Sequence, residues 1–396
     1  MDSDKRFYQP FTKGTMAPMH WLPLLALLAV FPAFAAQQDP SSDPPPPAIA
    51  ARSYLLVDYT SGQKLVAHDM QRRIEPASLT KLMTAYVTFA ALKEKRIRPG
   101  QVVPVSEQAW RAEGSRMFIE PRKAVTVEEL IHGMIVQSGN DACLALADAV
   151  AGSEDAFVAL MNREAQRLGM KNTRYVNVTG LPHPEHYSTA EDIATLAAAI
   201  IRDFPEYYPL YSQREYRYNN ITQANRNRLL WTDPTVDGMK TGYTQNAGYC
   251  LVTSARRGER RLISVVLGAA SEAGRAVESQ KLLNHGFLFY DGVRLFAGKQ
   301  PVATLEVYKG AANTVRAGFL SDLHLTLPRG MRDHLKASVV SMQPLLAPIR
   351  AGQSVGTMRL TLDGKLFREV PVVALDEVPV AGIFGRGWDT LRLLFH

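Results

Sequence analysis

The feature that most constrains the fold is an apolar helical stretch that opens with a serine and a lysine. In EPASLTKLMTAYVTFAALKEK, which begins at Glu75, apolar side chains recur at helical spacing and predict a helix. Residues three apart share one face of a helix, so Ser78 and Lys81 would touch in its first turn. Either Ser78 caps the helix and Lys81 is solvated, or the pair carries chemistry.

A second pair with the same spacing, Ser61 and Lys64, lies in YLLVDYTSGQKLVAHD. Apolar alternation on both sides of residues 60–62 predicts a β-hairpin with Ser61 in its turn. A chain of 396 residues should contain roughly one or two Ser-x-x-Lys pairs by chance. A functional interpretation of Ser78 therefore needs support from elsewhere in the chain.

A length of 396 residues predicts about two or three domains. Residues 1–36 are predicted to be a cleaved export signal, because Lys5, Arg6 and Lys13 precede an apolar run that ends in Ala-Phe-Ala. Residues 37–50, rich in proline and serine, are predicted to be a semi-rigid linker. We expect residues 51–290 to form an α/β (α+β) domain.

Short alternating strands between Gly, Pro and Asp turns predict a small β-sandwich over residues 291–380. In residues 381–396 a helical stripe of large apolar side chains predicts an amphipathic helix. Such a helix would lie in a membrane interface or pack on its own domain. The stripe consists of Phe384, Trp388, Leu391, Leu394 and Phe395.

The net charge of +7 is spread along the chain, which argues against a nucleic-acid partner and leaves a membrane or cell wall as a plausible polyanionic surface. Cys143 and Cys250 lie in apolar surroundings and are predicted to be two free thiols. His183 and His186 share a proline-containing stretch that we expect to be a solvated loop and not a metal site. No cofactor is expected.

A second polar motif interrupts the apolar stretch TVEELIHGMIVQSGNDACLALADAVAG. Thr126 and Glu129 have the spacing of a capping box, which predicts that a helix begins there. Ser138, Gly139 and Asn140 then predict a turn, followed by another helix from Asp141. The turn either simply connects the helices or presents a hydroxyl and an amide at the edge of the core.

A third motif, Lys240-Thr241-Gly242, precedes a predicted hairpin. One strand starts at Tyr249, residues 256–261 form the turn, and Leu262–Leu267 form the second strand. Gly242 would allow a ligand to approach the backbone closely, and Lys240 and Thr241 offer a cation and a hydroxyl for an anionic group. The alternative is an exposed sheet edge without a ligand.

The three motifs occur in the order S-x-x-K, S-x-N and K-T-G, which is typical of serine-acylating β-lactamases and penicillin-binding proteins. This order predicts that Ser78 is a nucleophile. The chain closely resembles the low-molecular-mass penicillin-binding proteins that are D-alanyl-D-alanine carboxypeptidases. The resemblance covers essentially all of the mature chain and includes QSGNDAC, KTGYTQNAGYCL, GRAVESQKLLNHGF and GTMRLTLDGK.

A serine hydroxyl needs a base to attack a carbonyl, and no His/Asp pair is suggested, so we expect Lys81 to be the proton acceptor. Its ordinary pKa of ~10.4 would have to fall by about three for this role near neutrality. Burial, a position at a helix N-terminus and a second cation, Lys240, would each lower the pKa of Lys81.

The resemblance implies a serine β-lactamase/transpeptidase-like catalytic domain, with the β domain as a stalk or partner platform. It also implies that Ser138 relays a proton to the departing D-alanine. It further implies backbone N–H donors for the oxyanion from Ser78 and Tyr243, and Arg275 for the substrate carboxylate. The remaining substrate contacts implied by the family are Asn140, Lys240, Thr241 and Gly242. Tyr243 departs from the family, because many members have a histidine there.

The implied reaction removes the terminal D-alanine from peptidoglycan stem peptides at the periplasmic face of the inner membrane, with β-lactams as covalent inhibitors. A β-lactamase is disfavoured, because the region between the second and third motifs has no E-x-x-L-N arrangement and Glu185 stands among prolines and histidines. A D,D-endopeptidase, a transpeptidase and a non-catalytic wall-binding scaffold remain alternatives.

Overall fold

Helices packed around one main sheet form the first part of the protein, and the second is built of strands with a short 3-10 turn, Arg332–His334. The computed structural model describes residues 44–382. Its helices are α1 Lys81–Lys93, α2 Glu107–Trp110, α3 Val127–His132, α4 Asn140–Ala151, α5 Glu154–Arg167, α6 Ala190–Asp203, α7 Leu229–Thr232 and α8 Glu272–Phe289.

The strands of the first part are β1 Ser53–Asp58, β2 Lys64–His68, β3 Val102–Val103, β4 Val125–Thr126, β5 Glu215–Tyr218, β6 Ile221–Ala224, β7 Val236–Thr244, β8 Gly248–Arg257 and β9 Arg260–Ala269. Those of the second part are β10 Tyr290–Phe296, β11 Pro301–Tyr308, β12 Thr314–Gly318, β13 Leu323–Pro328, β14 Leu335–Ser341, β15 Leu345–Leu346, β16 Ser354–Leu362 and β17 Lys365–Ala374.

The main sheet of the first part is antiparallel and has the strand order β2-β1-β9-β8-β7. Strands β8 and β9 each contain six consecutive buried residues, because helices cover both faces of the sheet. On one face of the sheet, Leu282 and Leu283 of α8 belong to a cluster of buried apolar side chains. On the other face, a second apolar cluster includes residues of α1, α4 and α6. The predicted β8–β9 hairpin is confirmed, with a turn shorter than expected.

Local sequence signals at two other places are also confirmed. Thr126 accepts a hydrogen bond from the Glu129 amide, and Glu129 accepts one from the Thr126 amide at 2.8 Å, so the capping box forms at the start of α3. A helix cap of this kind stabilises a protein by about 1 kcal/mol. Strands β1 and β2 pair antiparallel, and Ser61 lies in the turn between them, as expected of the second Ser-x-x-Lys pair.

The second part is all-β, as predicted. A six-stranded sheet has the order β14-β16-β17-β12-β11-β15, and β10 pairs with β13. Its apolar cluster includes Val315, Leu325, Leu360 and Val372. Strand β10 follows α8 directly, and the turn between β1 and β2 contacts β13 through two hydrogen bonds between Gln63 and the backbone of Thr326, at 2.9 and 2.7 Å.

Parts of the sequence-based predictions fall on the termini. The predicted export signal lies outside the described residues, as does the predicted C-terminal helix except for residues 381 and 382. From residue 44 to residue 382, no helix combines the length and the apolar character needed to cross a bilayer. Cys143 and Cys250 are buried free thiols, which confirms that prediction.

Candidate active site

Ser78 lies in a short 3-10 turn, Ala77–Thr80, which leads directly into α1 at Lys81. Its side chain does not cap the helix, and Lys81 is only 1% exposed. The alternative of a capping serine beside a solvated lysine is therefore wrong. Instead, the Lys81 amine donates a hydrogen bond to Ser78 Oγ at 3.0 Å.

Two glycines allow neighbouring segments to approach the backbone around Ser78. Gly180 has a φ of +88°, and a Cβ there would stand 1.8 Å from the carbonyl oxygen of Ala77. A Cβ on Gly242 of β7 would stand 3.1 Å from the Pro76 carbonyl oxygen. Glycine is needed at position 180 both for its backbone conformation and for this close contact.

Lys81 is buried beneath the serine and has a second hydrogen bond, from its amine to the carbonyl oxygen of Thr179 at 2.6 Å. The pKa of Lys81 is lowered to about 8, mainly by burial and also by the positive charge of Arg226, whereas Cys143 and Asp141 oppose the shift. A pKa of about 8 leaves about one tenth of the amine neutral at pH 7. Lys81 can therefore accept a proton from Ser78 near neutral pH.

Lys240 is buried within β7, so the alternative of an exposed sheet edge is wrong for this motif. Its amine donates to the Thr241 carbonyl at 3.0 Å. Burial holds the pKa of Lys240 well below its usual range, and repulsion from Lys81 and Arg226 lowers it further.

More than one cation lies close to Lys81. Lys240 and Lys81 form a coupled pair of buried amines, in which the charge of Lys81 lowers the pKa of Lys240. The positive charge of Arg226, which the sequence did not suggest, also lowers the pKa of Lys81.

The Ser138-Gly139-Asn140 motif connects a π-helical turn, Gly133–Gln137, to α4. Ser138 has a left-handed backbone with φ 67° and a buried hydroxyl, for which the described residues supply no hydrogen-bond partner. Leaving a buried hydroxyl unpaired costs about 1–3 kcal/mol. Its position at the cavity makes it available to a substrate atom.

Asn140 is fixed by two hydrogen bonds to the preceding loop. Its amide donates to the Ser115 carbonyl at 2.7 Å, and its side chain donates to the Glu113 carbonyl at 2.5 Å. Asp141, the next residue, accepts hydrogen bonds from the backbone amides of residues 117–119. The loop that borders the cavity is therefore tied to the first turn of α4.

A cavity of about 350 Å³ opens above Ser78. Lys81 and Lys240 lie beneath its wall and do not line it. Seven of the nine sequence-predicted residues do, namely Ser78, Ser138, Asn140, Thr241, Gly242, Tyr243 and Arg275. The structure adds Gly114, Ser115, Thr179, Gly180, Leu181, Arg226, Thr244, Tyr249 and Glu272.

One end of the cavity is positively charged. Arg275 of α8 is 5% exposed, donates to the Gly242 carbonyl at 3.4 Å and lies 3.7 Å from a Glu272 oxygen. Burial lowers the pKa of both Arg275 and Arg226, and Glu272 opposes the shift in each. Two guanidinium groups facing one cavity suit a substrate carboxylate.

Arg226 and Thr179 were not singled out from the sequence. The side chains of Asn225 and Asn227, on either side of Arg226, donate to the backbone carbonyls of Gln213 and Gly238, each at 3.0 Å. Two such asparagines in a loop are a weak signal that the arginine between them is held in place. Thr179 contributes only a backbone carbonyl to Lys81, and no sequence pattern marks such a contact.

Tyr243 remains 53% exposed at the end of β7, and its ring packs on that of Tyr249 with centroids 4.4 Å apart. The guanidinium of Arg275 lies over the other aromatic ring, 5.7 Å from the centroid of Tyr249. Tyr243 and Tyr249 thus form an aromatic wall of the cavity.

The stretch that contains His183 and His186 needs a correction. His183 is exposed, but His186 is 2% exposed, because it packs against the start of α1. The expectation of a wholly solvated loop is therefore wrong. Glu185 does not line the cavity and forms a surface ion pair with Arg174 at 3.2 Å. In the described part of the chain, no group of three or more acidic, His or Cys residues could hold a metal.

Comparisons with known proteins agree with this geometry. The sequence pattern of a family described as D-alanyl-D-alanine carboxypeptidase matches residues 38–271, and that of the penicillin-binding protein 5 C-terminal domain matches residues 290–380. The chain is 42% identical over 397 residues to D-alanyl-D-alanine carboxypeptidase DacC of Escherichia coli (strain K12), covering 98% of this chain and 97% of that relative.

Two solved structures show similar folds. Penicillin-binding protein 5 from Haemophilus influenzae has a TM-score of 0.83 and 41% identity, covering 85% of this chain and 99% of that one. Penicillin-binding protein D2 from Listeria monocytogenes, in its ampicillin-bound form, has a TM-score of 0.57 and 28% identity, covering 62% of this chain and 100% of that one.

Proposed function

Because this chain belongs to the D-alanyl-D-alanine carboxypeptidase family, we propose that its cavity cleaves the terminal D-Ala-D-Ala bond of peptidoglycan stem peptides through an acyl-enzyme on Ser78. The observation that carries this proposal is the buried pair formed by Ser78 Oγ and the Lys81 amine, 3.0 Å apart beside a cavity with two arginines. Lys81 has the lowered pKa that a proton acceptor for a serine hydroxyl requires.

In acylation, Ser78 Oγ attacks the carbonyl carbon of the penultimate D-alanine while its proton passes to the Lys81 amine. A bond forms between Oγ and that carbon, and the oxyanion is stabilised by the backbone N–H groups of Ser78 and Tyr243. The C–N bond to the last D-alanine then breaks, and the leaving amine takes a proton through the hydroxyl of Ser138.

In deacylation, a water molecule attacks the same carbon, and the C–O bond to Ser78 breaks. The proton of that water returns to Ser78 Oγ through the Lys81 amine, which regenerates the free enzyme. The products are D-alanine and a stem peptide shortened by one residue, which can no longer act as a donor of that D-Ala-D-Ala bond for cross-linking.

The substrate is oriented by the charged and polar lining of the cavity. Arg275 and Arg226 attract the carboxylate of the terminal D-alanine, and Thr241 offers it a hydroxyl. The buried amine of Lys240 lies behind this wall and is bonded to the Thr241 carbonyl. The side chain of Asn140 forms a hydrogen bond with the backbone of the substrate peptide. A β-lactam presents a carboxylate and a strained amide to the same groups, so penicillins acylate Ser78 as well.

The location belongs to the same proposal. The basic and apolar N-terminal stretch directs export, and the protein then works at the periplasmic face of the inner membrane. Residues 381–396 hold it there as a peripheral amphipathic helix. The β domain, residues 291–380, serves as a stalk or partner platform between the membrane and the catalytic domain.

Labelling with a fluorescent penicillin tests the roles of Ser78 and Lys81. Wild-type protein should form a covalent adduct that maps to the peptide containing Ser78. Lys81→Arg should lose acylation, because a guanidinium does not accept a proton from the serine. Lys64→Arg is the matched control, since Lys64 has the same spacing from a serine but lies in the β1–β2 hairpin.

The outcomes separate the alternatives. Full acylation of Lys81→Arg would contradict the role of Lys81 as proton acceptor. An adduct without D-alanine release from a stem peptide would favour an endopeptidase or a transpeptidase on this scaffold. Neither an adduct nor release would leave the non-catalytic wall-binding scaffold as the function.

A further inference from the structure

The loop between α5 and α6 contains a buried histidine whose two ring nitrogens are both bonded. The amide of Val176 donates to His186 Nδ1 at 3.2 Å, so this nitrogen is the unprotonated acceptor. Nε2 then carries the hydrogen and donates to Thr80 Oγ1, 2.8 Å away. The Tyr175 ring and the imidazole pack in a T-shaped arrangement, with centroids 5.7 Å apart. His186 therefore has one fixed tautomer and orientation.

The partner of His186 lies between the two reacting side chains in the sequence. Thr80 follows Ser78 by two residues and directly precedes Lys81. Two further contacts join the start of α1 to the same loop: Thr84 Oγ1 donates to the Val178 carbonyl at 2.7 Å, and the Lys81 amine donates to the Thr179 carbonyl at 2.6 Å. Residues 176–179 are thus held by hydrogen bonds against one face of α1.

The contact at Thr179 matters for the direction of the Lys81 lone pair. A neutral amine has two N–H groups and one lone pair. When one N–H is donated to the Thr179 carbonyl, the lone pair can point to the hydrogen of Ser78 Oγ, 3.0 Å away. If the loop moves outward, the amine loses this fixed orientation and water reaches it.

We propose that His186 is a positioning residue for the acylation of Ser78, because it ties residues 176–179 to Thr80 and so holds the Thr179 carbonyl against Lys81. This inference rests on the proposed function, in which Lys81 takes the proton of Ser78. His186 does not line the cavity, so its effect passes through the loop and not through contact with the substrate.

The surroundings of His186 preserve its hydrogen bonds to Val176 and Thr80 near neutral pH. The pKa of His186 is lowered to about 4, mainly by burial and also by the charges of His183 and Lys81, while Glu75 opposes the shift. The imidazole therefore stays neutral near pH 7, with Nδ1 available as the acceptor for Val176.

The test compares the rate of acylation in the full chain, solubilised in detergent, with a fluorescent penicillin over a range of pH. His186→Phe keeps an aromatic ring but removes both hydrogen bonds. We expect the limiting acylation rate to fall about tenfold or more. The half-saturating penicillin concentration should change much less than the limiting rate, because Arg226, Thr241 and Arg275 lie outside the loosened loop.

The pH profile supplies a second readout. Burial is the main cause of the lowered Lys81 pKa, so water admitted by a loosened loop should raise it again. In His186→Phe, the rise of the acylation rate with pH should therefore move to higher pH. His186→Gln, which keeps a donor for Thr80, should restore most of the rate and the profile. His183→Gln, on the exposed histidine of the same loop, is the matched control.

The results divide clearly. Wild-type rate and profile in a folded His186→Phe would overturn the inference. So would a smaller labelled fraction with unchanged rate and profile, since this is what partial unfolding alone produces. If His186→Phe does not fold, Thr80→Val removes the other partner of the bond and should give the same slow, shifted profile. Failure of the wild-type protein to acylate would instead overturn the proposed function.

Discussion

Lys81 carries a cost in stability that follows from its burial. In the folded protein its pKa is lowered from 10.5 to about 8. Below about pH 8 the amine is charged in both the folded and the unfolded protein. Burying this charge lowers the free energy of unfolding by roughly 3 kcal/mol. Between about pH 8 and 10.5 the folded protein loses this proton before the unfolded chain does, so the free energy of unfolding rises with pH in that window.

Lys81→Met should therefore change the pH dependence of stability. The variant should gain stability relative to wild type near pH 7, offset in part by the lost hydrogen bond to the Thr179 carbonyl, about 1–3 kcal/mol. The difference in free energy of unfolding should shrink as pH rises from about 8 toward 10.5, and acylation should be lost at every pH. Urea unfolding at several pH values measures this. A difference that does not vary with pH would contradict the account.

At the scale of elements, the site depends on how closely the loop at Gly180 approaches the 3-10 turn of Ser78. Gly180→Ala would place a methyl group 1.8 Å from the Ala77 carbonyl oxygen at a backbone φ of +88°. We expect the loop or the turn to shift and the acylation rate to fall by about tenfold or more. The measurement is single-turnover acylation by penicillin.

Gly62→Ala is the matched control for this prediction. Gly62 also has a positive φ, +71°, but no atom lies within 4 Å of the added methyl group. This variant should lose about 1 kcal/mol of stability and acylate at the wild-type rate. Equal rates in Gly180→Ala and wild type would show that the close approach at Ser78 is not needed for acylation.

Sequence reasoning succeeded where one short stretch determines the geometry. The capping box at Thr126, the hairpin of β8 and β9, and the contact of Ser78 with Lys81 each depend on residues close in the chain. It failed where contacts join distant stretches. The Thr179 carbonyl reaches Lys81 across 98 positions, and His186 reaches Thr80 across 106.

Charge at the site illustrates the same limit. The sequence identified Lys240 as a cation near Lys81 but did not indicate that the charge of Arg226 also lowers the pKa of Lys81. The place of Arg226 at the cavity follows from Asn225 and Asn227, whose side chains bond the carbonyls of Gln213 and, in β7, Gly238. Local patterns do not carry this information.

On the scale of the whole molecule, the change from helical periodicity to alternating strands predicted the all-β second part. The hydrogen bonds between Gln63 and Thr326 join the turn between β1 and β2 to the all-β part. The β1–β2 hairpin supplies no residue to the cavity. The proposed catalytic residues thus lie in the first part of the chain, whereas the proposed membrane anchor follows the second.

Deletion of residues 381–396 tests this assignment. The truncated protein should remain in the supernatant when membranes are pelleted, because the apolar stripe of the proposed helix is gone. It should release D-alanine at the wild-type rate, because every residue of the proposed site lies in the catalytic domain. If the truncated protein still pellets with membranes, the proposed anchor is wrong.

The most direct test of the central claim is D-alanine release from a peptide ending in D-Ala-D-Ala, measured for wild type, Ser78→Ala and Ser61→Ala. Ser61 is the matched control, because a lysine follows it at the same spacing but it lies in a hairpin turn. We predict release by wild type and Ser61→Ala and none by Ser78→Ala. Release by Ser78→Ala at the wild-type rate would contradict the account of Ser78 as the nucleophile.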